Sequence, residues 1–195
     1  MPDNLSLFDP IAHRFPAAVI ATHSYRGDAT VTLRAEHLLE LAKFIKDDKG
    51  FQMNFLIDLT AVDYLTFGQT PPARASHFNA GVAAKPPSSI PNAEPWPGPA
   101  TKARFELVYH FCSLPLKIRL RLKVPVEESS PQVDSISSLW ASANWFEREV
   151  WDMYGIKFKG HPNLKRLLMY AEFQGHPLRK DYPVNKRQPL IGPVN

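Results

Sequence analysis

His110 and Cys112 are the residues in this sequence that could provide nucleophilic chemistry. They lie two positions apart in an alternating apolar segment, so both would project from the same face of a strand. A catalytic thiol requires a partner imidazole and an electropositive pocket, whereas the apolar neighbours of Cys112 favour a small buried side chain. We therefore predict a packing role for Cys112, with an independent enzyme that uses this pair as the alternative.

Asp58 and Asp63 form a second candidate, because paired carboxylates can carry out general acid–base catalysis. They are five positions apart, in and just after a predicted strand, and would point to opposite faces of it. No histidine or nucleophile lies near them in the sequence. We predict structural roles for both, with Asp63 ending the strand by binding the backbone of the following turn.

His161 and His176 each occur in a Gly-His-Pro triplet that could belong to a metal site. Acidic residues are few around them, and the chain has no His-x-x-x-His or paired Cys/His spacing. We predict that each triplet is a turn whose imidazole bonds a backbone or carboxylate group, with no bound metal. Arg166, Arg179 and Lys180 could hold a phosphate, but no glycine-rich loop supplies amide donors. Pairing of these cations with the carboxylates of a partner is the prediction.

Length and cysteine content limit what else the chain can do. Its 195 residues suffice for one domain with its own core. The single cysteine excludes an internal disulfide and an iron–sulfur cluster ligated by cysteines of this chain alone. The sequence shows no signal-peptide pattern and no apolar run of about 20 residues, so we expect a cytoplasmic protein that reaches a membrane only through partners.

Positive charge is concentrated towards the C-terminus. The net charge is +4, but residues 155–195 hold eight Lys/Arg against two acidic residues, which leaves the preceding part at −2. A near-neutral body with a basic tail favours docking on an acidic surface. Nucleic acid is the other possible acidic partner. Because the tail lacks dense Lys/Arg clusters and no nucleic-acid-binding module is visible, we predict no nucleic-acid binding.

Apolar periodicity predicts the elements that hold these side chains. Strands are expected at 18–25, 29–33 and 53–61, a hairpin at 104–112 and 116–124, and helices at 8–15, 35–47 and 134–154. This order predicts an α+β fold: a mixed, largely antiparallel sheet of about five strands, with helices on one side and an extended C-terminal arm. The prediction divides the chain into a body at 1–154, which contains a Pro-rich loop insertion at 65–102, and an arm at 155–195.

Two strand patterns make specific predictions about faces. In the strand at 53–61, Phe55, Ile57 and Leu59 would share one face. In the second hairpin strand, strict alternation sends a row of cations outward. The row consists of Lys117, Arg119, Arg121 and Lys123. It is either an ordinary solvated sheet face, balanced by carboxylates across the ladder, or a positive docking strip, and the sequence leaves both open.

The last predicted helix carries paired charges and several tryptophans. Arg148 and Asp152 are one turn apart and are predicted to pair, which leaves Glu147 and Glu149 to bond backbone groups or the cations of a partner. Gly155 is expected to end the helix. The aromatic residues off its apolar stripe present more apolar surface than solvent usually meets, which indicates an interface.

A set of short motifs between positions 146 and 181 resembles the signature of a known family. The residues that carry it are Glu147, Arg148, Glu149, Asp152, Tyr154, Gly155, Gly160, His161, Pro162, Arg166, His176, Pro177, Leu178, Arg179, Lys180 and Asp181. On these residues the chain resembles the C subunit of bacterial NADH:quinone oxidoreductase, respiratory complex I, whose mitochondrial counterpart is the 30 kDa subunit. The resemblance covers most of the chain and is weakest within 65–102.

This resemblance implies a cofactor-free member of the peripheral arm of that complex, with the signature residues as partner-binding and none of them catalytic. It implies docking on the D subunit of complex I, close to the B subunit and the quinone-reducing module, at the cytoplasmic side of the bacterial inner membrane. Flavin (FMN) and iron–sulfur clusters would be held by other subunits, which pass electrons from NADH to quinone and couple this to proton pumping. The equivalent subunit of a membrane-bound hydrogenase, or of a quinone reductase with another donor, is the alternative.

Overall fold

The structure, a computed structural model, describes residues 4–25, 27–67, 98–183 and 185–189, so most of the predicted insertion lies outside the described residues. Its helices and strands are, in chain order, α1 (Phe8–Arg14), β1 (Val19–Tyr25), β2 (Asp28–Leu33), α2 (Leu38–Asp47), β3 (Phe55–Asp63), β4 (Phe105–Ser113), β5 (Ile118–Val126), β6 (Gln132–Asp134), α3 (Ala143–Tyr154) and β7 (Lys157–Lys159). Short 3-10 helices, Asn4–Leu7 and Ala35–His37, precede α1 and α2.

Five strands form one sheet in the order β1-β2-β5-β4-β3. The β1–β2, β3–β4 and β4–β5 pairs are antiparallel, and β2 pairs with β5 in parallel. The two hairpins follow from local alternation and short turns, while the parallel pair joins segments that are far apart in the chain. The mixed, largely antiparallel α+β fold predicted from the sequence is confirmed.

One face of this sheet carries the core. Alternate residues of the central strands point to it, including Leu107, Tyr109 and Phe111 of β4 and Leu120 and Leu122 of β5, all of them buried. The buried stripes of α1, α2 and α3 belong to the same apolar cluster, so the three helices pack on this face. We call the opposite face of the sheet the outer face.

The predicted faces of β3 are wrong in its first half. The register with β4 shifts between Leu56 and Asp58, which is a β-bulge. A bulge inserts one residue and reverses the alternation, so Leu56 faces the core together with Leu59. Phe55 and Ile57 are exposed instead.

The helix predicted at 134–154 is also wrong over its first part, because α3 begins only at Ala143. The preceding residues form β6 and a series of turns. There the carboxylate of Glu147 accepts hydrogen bonds from the Ile136 amide (2.7 Å) and the Ser135 hydroxyl (2.6 Å). The Ile136 amide and the Ser135 hydroxyl therefore have hydrogen-bond partners although this stretch is not helical. Its regularly spaced apolar residues reach the core from turns.

The chain after α3 first adds a strand to the body. Ile156 and Phe158 are buried in the core, and β7 pairs in parallel with β6. The core therefore includes residues beyond position 154, while the division into a body at 1–154 and an arm at 155–195 stays a prediction. We use the word arm from here on for the described residues from Gly160 onwards.

Two of the four cations of the predicted basic row are paired with carboxylates of the same chain. Lys123 is buried and its ammonium donates to Glu106 at 2.8 Å. Arg121 donates to Asp28 at 3.4 Å across the β2–β5 pair. Arg119 is exposed. The row is thus a mixed ladder of charges at Arg121 and Lys123, and its other half, Lys117 and Arg119, could act as a docking strip.

Candidate functional site

Asp152, in the last turn of α3, anchors the arm to the helix. Its side chain is fully buried. Oδ2 accepts hydrogen bonds from the amides of Leu167, Leu168 and Met169 at 3.0, 2.9 and 2.9 Å, and Oδ1 accepts one from Arg166 at 2.5 Å. Burial alone would raise the pKa of this carboxyl group, but the three amides and the guanidinium outweigh burial and hold the pKa below its usual value. An ionised carboxylate thus fixes the backbone of 167–169.

Arg166 connects Asp152 to the next part of the arm. Its second terminal nitrogen donates to the carbonyl oxygens of Phe173 (2.8 Å) and Gly175 (3.2 Å). The guanidinium also lies 5.9 Å from the Trp151 ring centroid and 5.6 Å from that of Phe173. The guanidinium of Arg166 thus donates several hydrogen bonds and lies near two aromatic rings at the same time. The ammonium of a lysine could not make this combination of contacts.

The C-terminal end of α3 is capped by the arm. The ring Nδ1–H of His176 donates to the Asp152 carbonyl at 2.9 Å, Arg179 donates to the Tyr154 carbonyl at 2.5 Å, and the Leu178 amide donates to Met153 at 3.1 Å. These bonds satisfy carbonyls that a helix end leaves without partners. Burial, with the nearby Arg179 and Arg166, lowers the pKa of His176 despite its bond to Asp152, so the ring is neutral.

Gly155 allows this close packing. It ends α3 in the left-handed region, at φ 77°. A Cβ at this position would lie 2.5 Å from Nε2 of His176 and 2.7 Å from a terminal nitrogen of Arg179. Glycine is therefore required here both for the backbone conformation and for space.

A second anchor holds the end of the arm to the start of β4. Arg104 binds the buried Asp63 through two hydrogen bonds (3.1 and 3.0 Å), and it also binds Glu128 and Asp181. The Lys180 amide donates to the same Asp63 at 2.9 Å. Burial raises the pKa of Asp63, but these bonds outweigh it and the pKa is lowered. We call this set of five residues the Arg104 hub.

Glu147 and His161 form a third buried polar pair. Beyond its bonds to Ser135 and Ile136, the Glu147 carboxylate lies 3.9 Å from Nε2 of His161. The His161 Nε2–H donates to the Asn144 carbonyl at 3.1 Å, and Nδ1 accepts from the Asn163 amide at 3.0 Å. Burial raises the pKa of Glu147 to about 7, against the opposing bonds from Ser135 and Ile136.

The structure therefore brings most signature residues together, with one difference in pairing. The predicted bond between Arg148 and Asp152 is wrong: Arg148 donates to the carbonyls of Lys165 and Arg166, both at 3.1 Å, and Asp152 pairs with Arg166. Both histidines bond backbone groups, as predicted. The remaining signature residues Glu149, Gly160 and Pro162 lie at the surface near these contacts, and Pro177 lies half-buried in the segment that caps α3.

Large apolar side chains next to these anchors face solvent. Trp145 of α3 is 61 % exposed, and Leu168 and Leu178 of the arm are 57 % and 48 % exposed. Arg148 lies 5.2 Å from the centroid of the Trp145 ring. The backbone that carries Leu168 is the one that Asp152 fixes, and the backbone of Leu178 is bonded to Met153. We call Trp145, Leu168 and Leu178 the apolar ridge residues.

The catalytic alternatives receive little support from the geometry. His110 pairs across the ladder with Asp58 and with Arg121, and no hydrogen bond joins it to Cys112 within the described part of the chain. Asp63 is committed to the Arg104 hub and, as predicted, also binds the backbone of the following turn, at Leu65. Among the described residues no three His, Cys, Asp or Glu side chains are placed to hold a metal ion. Helices in the same residues are too short and too polar to cross a bilayer.

The Arg104 hub is the part of the site that sequence reasoning missed. The sequence predicts a turn contact for Asp63 and a strand position for Arg104, but no contact between the two. Their pairing spans 41 positions, and the bond from Arg104 to Asp181 spans 77. The only local signal was the position of Asp63 and Arg104 at the ends of two strands that flank the same long connection.

Comparison with known proteins gives a consistent result. A family model described as "Respiratory-chain NADH dehydrogenase, 30 Kd subunit" matches residues 31–188. The C subunit of the NADH-quinone oxidoreductase of Citrifermentans bemidjiense is 40 % identical over 194 residues, which cover 98 % of each chain. The protein of the same name from Coxiella burnetii is 40 % identical over 195 residues, covering all of this chain and 82 % of the relative.

Solved structures agree with these matches. A trypsin-resistant fragment of Nqo5 superposes with a TM-score of 0.55 at 30 % identity, covering 83 % of this chain and 99 % of the fragment. A chain of an archaeal respiratory membrane complex, the membrane-bound sulfane sulfur reductase, superposes with a TM-score of 0.60 over 93 % of this chain and 86 % of its own. At 18 % identity, that second likeness shows the fold alone.

Proposed function

The chain belongs to the 30 kDa subunit family of respiratory-chain NADH dehydrogenases, and we propose that it is a cofactor-free structural component of a proton-translocating NADH:quinone oxidoreductase. In this proposal it docks on the D subunit, near the B subunit and the quinone-reducing module, at the cytoplasmic side of the membrane. FMN and the iron–sulfur clusters are held by other subunits. The observation that carries the proposal is the arm, which is fixed to α3 and presents Leu168 and Leu178 to solvent, together with the exposed Trp145 of α3.

Rigid presentation of exposed apolar side chains is characteristic of an obligate interface. Leu168 faces solvent while its own amide is bound to a buried carboxylate, so the exposure does not result from a loose segment. Trp145 is stacked near Arg148, a pair of residue types that dominate interface energies. Because these side chains are already about half buried, covering their remaining surface against a partner would contribute roughly 1 kcal/mol for each.

Polar groups in the same region are largely committed within the chain. Arg166 and Arg179 bond to Asp152 and to backbone carbonyls. They therefore position the arm, and contact through the ridge replaces the expected pairing of these two cations with carboxylates of a partner. Exposed cations such as Lys180 and Lys165 remain at the surface for steering towards an acidic partner.

The test uses surface substitutions, because removal of the arm would leave the buried Asp152 without its partners. Leu168→Asp and Leu178→Asp place charge in the ridge, and Leu114→Asp, in the turn between β4 and β5 at 61 % exposure, is the matched control. The full complex is expressed with each variant, and assembly and NADH:quinone reductase activity are measured. We expect both ridge variants to lower assembly at least tenfold and the control to leave it unchanged. Equal assembly of all three would contradict the proposal.

Partner identity needs a separate measurement. A photo-crosslinking amino acid at position 168 or 178, in the assembled complex, is expected to give the D subunit as the main product. Crosslinking only to other subunits would keep the structural role and reject the assigned partner.

A further inference from the structure

The outer face of the sheet contains a cavity of about 720 Å³ next to the end of the arm. Residues of β1, β3, β4 and β5 form its floor, the turn after β3 forms one wall, and Lys180 of the arm forms another. Small-molecule sites usually have volumes of roughly 300–1,000 Å³. We call this cavity the outer-face pocket; it lies on the side of the sheet away from the core.

The described lining of the pocket holds three cations and one carboxylate. They are Arg121, Lys123, Lys180 and Asp63. Arg121 and Lys123 are already paired with Asp28 and Glu106, and Asp63 is bound in the Arg104 hub. Lys180, whose ammonium has no such partner among the described residues, is therefore the cation of this lining that most favours an anion.

Arg121 and Lys180 have donor groups that their described contacts do not use. Arg121 has five N–H groups, and two of its contacts are Thr30 at 3.1 Å and the exposed Asp28 at 3.4 Å. Lys180 is exposed, and none of the described carboxylates lies within ion-pair distance of its ammonium group. The structure thus provides a guanidinium fork and an ammonium on a flexible stem, the two groups that proteins use to bind phosphate.

His23 lies on the pocket floor. Burial is the main cause that lowers its pKa, and Lys123 and Arg121 lower it further against the opposing Glu106. The histidine is consequently neutral and can donate or accept one hydrogen bond without repelling an anion.

Aromatic side chains form another part of the lining. Tyr64 and Phe67 pack edge to face with their centroids 5.5 Å apart, and Tyr25 lines the same space from β1. Val62 and Val108 add apolar floor. Flat apolar walls of this kind can hold a planar ring. A nucleobase that stacks on an aromatic side chain binds more tightly than one that does not.

From this arrangement we infer that the outer-face pocket is a binding site for a small phosphorylated aromatic molecule of mononucleotide size. The phosphate lies between Arg121 and Lys180, and the ring lies against Tyr64 and Phe67. This site goes beyond the docking role proposed above: Lys180 belongs to the arm, two positions after Leu178, but the other lining residues belong to the sheet and to the turn after β3.

The site also links ligand binding to the arm. Lys180 precedes Asp181, which binds Arg104, and the Lys180 amide itself donates to Asp63. A ligand that requires the Lys180 side chain binds only when the end of the arm is docked in the Arg104 hub. Binding therefore stabilises the docked arm by thermodynamic linkage.

The first test is titration calorimetry on the full chain with three probes: AMP, adenosine and inorganic phosphate. AMP offers ring and phosphate together and is expected to bind at least tenfold more tightly than either of the others. Equal affinity for adenosine and AMP would overturn the assignment of the cations, and equal affinity for phosphate and AMP would overturn that of the rings. Failure of AMP to bind at millimolar concentration would overturn the site.

Variants locate the binding. Arg121→Gln is expected to weaken AMP binding about tenfold, as for loss of a charge-assisted hydrogen bond, and Lys180→Gln about threefold or more. Lys43→Gln removes the same charge from the exposed surface of α2 on the other side of the sheet and is the control. Circular dichroism confirms folding of each. If Lys43→Gln weakens binding as much as Lys180→Gln, the ligand is held by net charge and the pocket is rejected.

The linkage has its own readout. Trypsin cleavage after Arg179 or Lys180 requires release of the arm, so AMP at about ten times its Kd is expected to slow this cleavage roughly tenfold. Cleavage of the Lys180→Gln chain after Arg179 should respond less at the same AMP concentration. An unchanged cleavage rate with bound AMP would show that the ligand does not involve the arm.

Discussion

Arg104 and Asp181 lie 77 positions apart in the sequence, yet a terminal nitrogen of the guanidinium is 2.7 Å from the carboxylate. The same guanidinium holds Asp63 at the end of β3. One side chain at the start of β4 thus connects a strand end to the last part of the arm. The arm is attached to α3, at Asp152 and at the groups around it, and to the sheet at Arg104, and substitutions at Asp152 and Arg104 can separate the two contributions.

Arg104→Met should destabilise the chain by about 3 kcal/mol, because removal of one partner of a buried ion pair leaves Asp63 charged and unpaired. It should also increase trypsin cleavage near Lys180. Urea unfolding and limited proteolysis measure the two effects. Arg119→Met, an exposed site on β5, is the control. Identical unfolding midpoints for the two variants would show that the hub is not a stabilising element.

Asp152→Asn should release the first attachment. The amide has one oxygen and an NH2 group in place of two anionic oxygens, so it cannot accept from Arg166 and three backbone amides at once. We expect a loss of about 2–4 kcal/mol. Hydrogen exchange at residues 167–169 should become faster. Combining Asp152→Asn with Arg166→Met should cost much less than the sum of the single effects, and strict additivity would contradict direct coupling.

Two glycines with the same backbone conformation provide a matched pair. Gly155 and Gly160 have φ angles of 77° and 78°, but a Cβ would strike His176 at Gly155 and meet open space at Gly160. Gly160→Ala should cost about 1 kcal/mol from backbone strain alone. Gly155→Ala should cost at least about 2 kcal/mol more and weaken the cap that the arm forms on α3. Thermal unfolding of both variants checks this, and equal losses would mean that space at Gly155 is not limiting.

Acid should release the arm before it unfolds the body. The pKa values of Asp63, Asp152 and Asp181 are all lowered in the folded chain. Stability from these groups is therefore fully present above their unfolded pKa of about 3.9 and is lost as the pH falls through the lower folded values. Hydrogen exchange in the arm, measured from pH 6 to pH 2 and expressed relative to the intrinsic exchange rate at each pH, should rise in this range. A rise that begins near pH 6 would point to His176 instead.

Glu147 should act in the opposite direction and in another pH window. Its folded pKa, about 7, is above the ordinary value of 4.5, so the folded state binds a proton that the unfolded state has lost. Stability should therefore decrease as the pH rises from about 4.5 to 7, by an amount on the order of 3 kcal/mol, and stay constant above that. Glu147→Gln should remove this slope, whereas Glu149→Gln, at an exposed position, should keep it. Urea midpoints at pH 5 and pH 8 measure the difference.

Local alternation was sufficient to predict the sheet. β4 and β5 were foreseen because Leu120, Leu122 and their neighbours alternate strictly on both sides of a short turn. The error in β3 arose from a bulge near Ile57, which no residue type in that strand indicates. The error in α3 arose because Glu147 bonds the Ile136 amide, a tertiary contact that replaces a helical turn. The same spacing of apolar residues is compatible with a helical turn and with turns held by such a contact, so it cannot distinguish between them.

The site was predictable as a list of residues but not as a set of contacts. The signature showed which residues belong together, and the histidine turns followed from their triplets. The partners of Asp152 were not foreseen, because three of them are backbone amides without sequence identity. The Arg104 hub depends on pairings across the whole chain, for which neighbouring residues give no signal.

The hydrogen bond from the Tyr64 amide to the Arg104 carbonyl, at 2.8 Å, closes the long connection between β3 and β4 at its base. Together with the Arg104–Asp63 ion pair, it fixes both ends of that connection whatever lies between them. The free-energy cost of closing such a loop grows only with the logarithm of its length, by about 0.6 kcal/mol for each doubling. Evolution can therefore lengthen or shorten this segment at little thermodynamic cost, which makes it a tolerant point for insertion of a tag or a small domain.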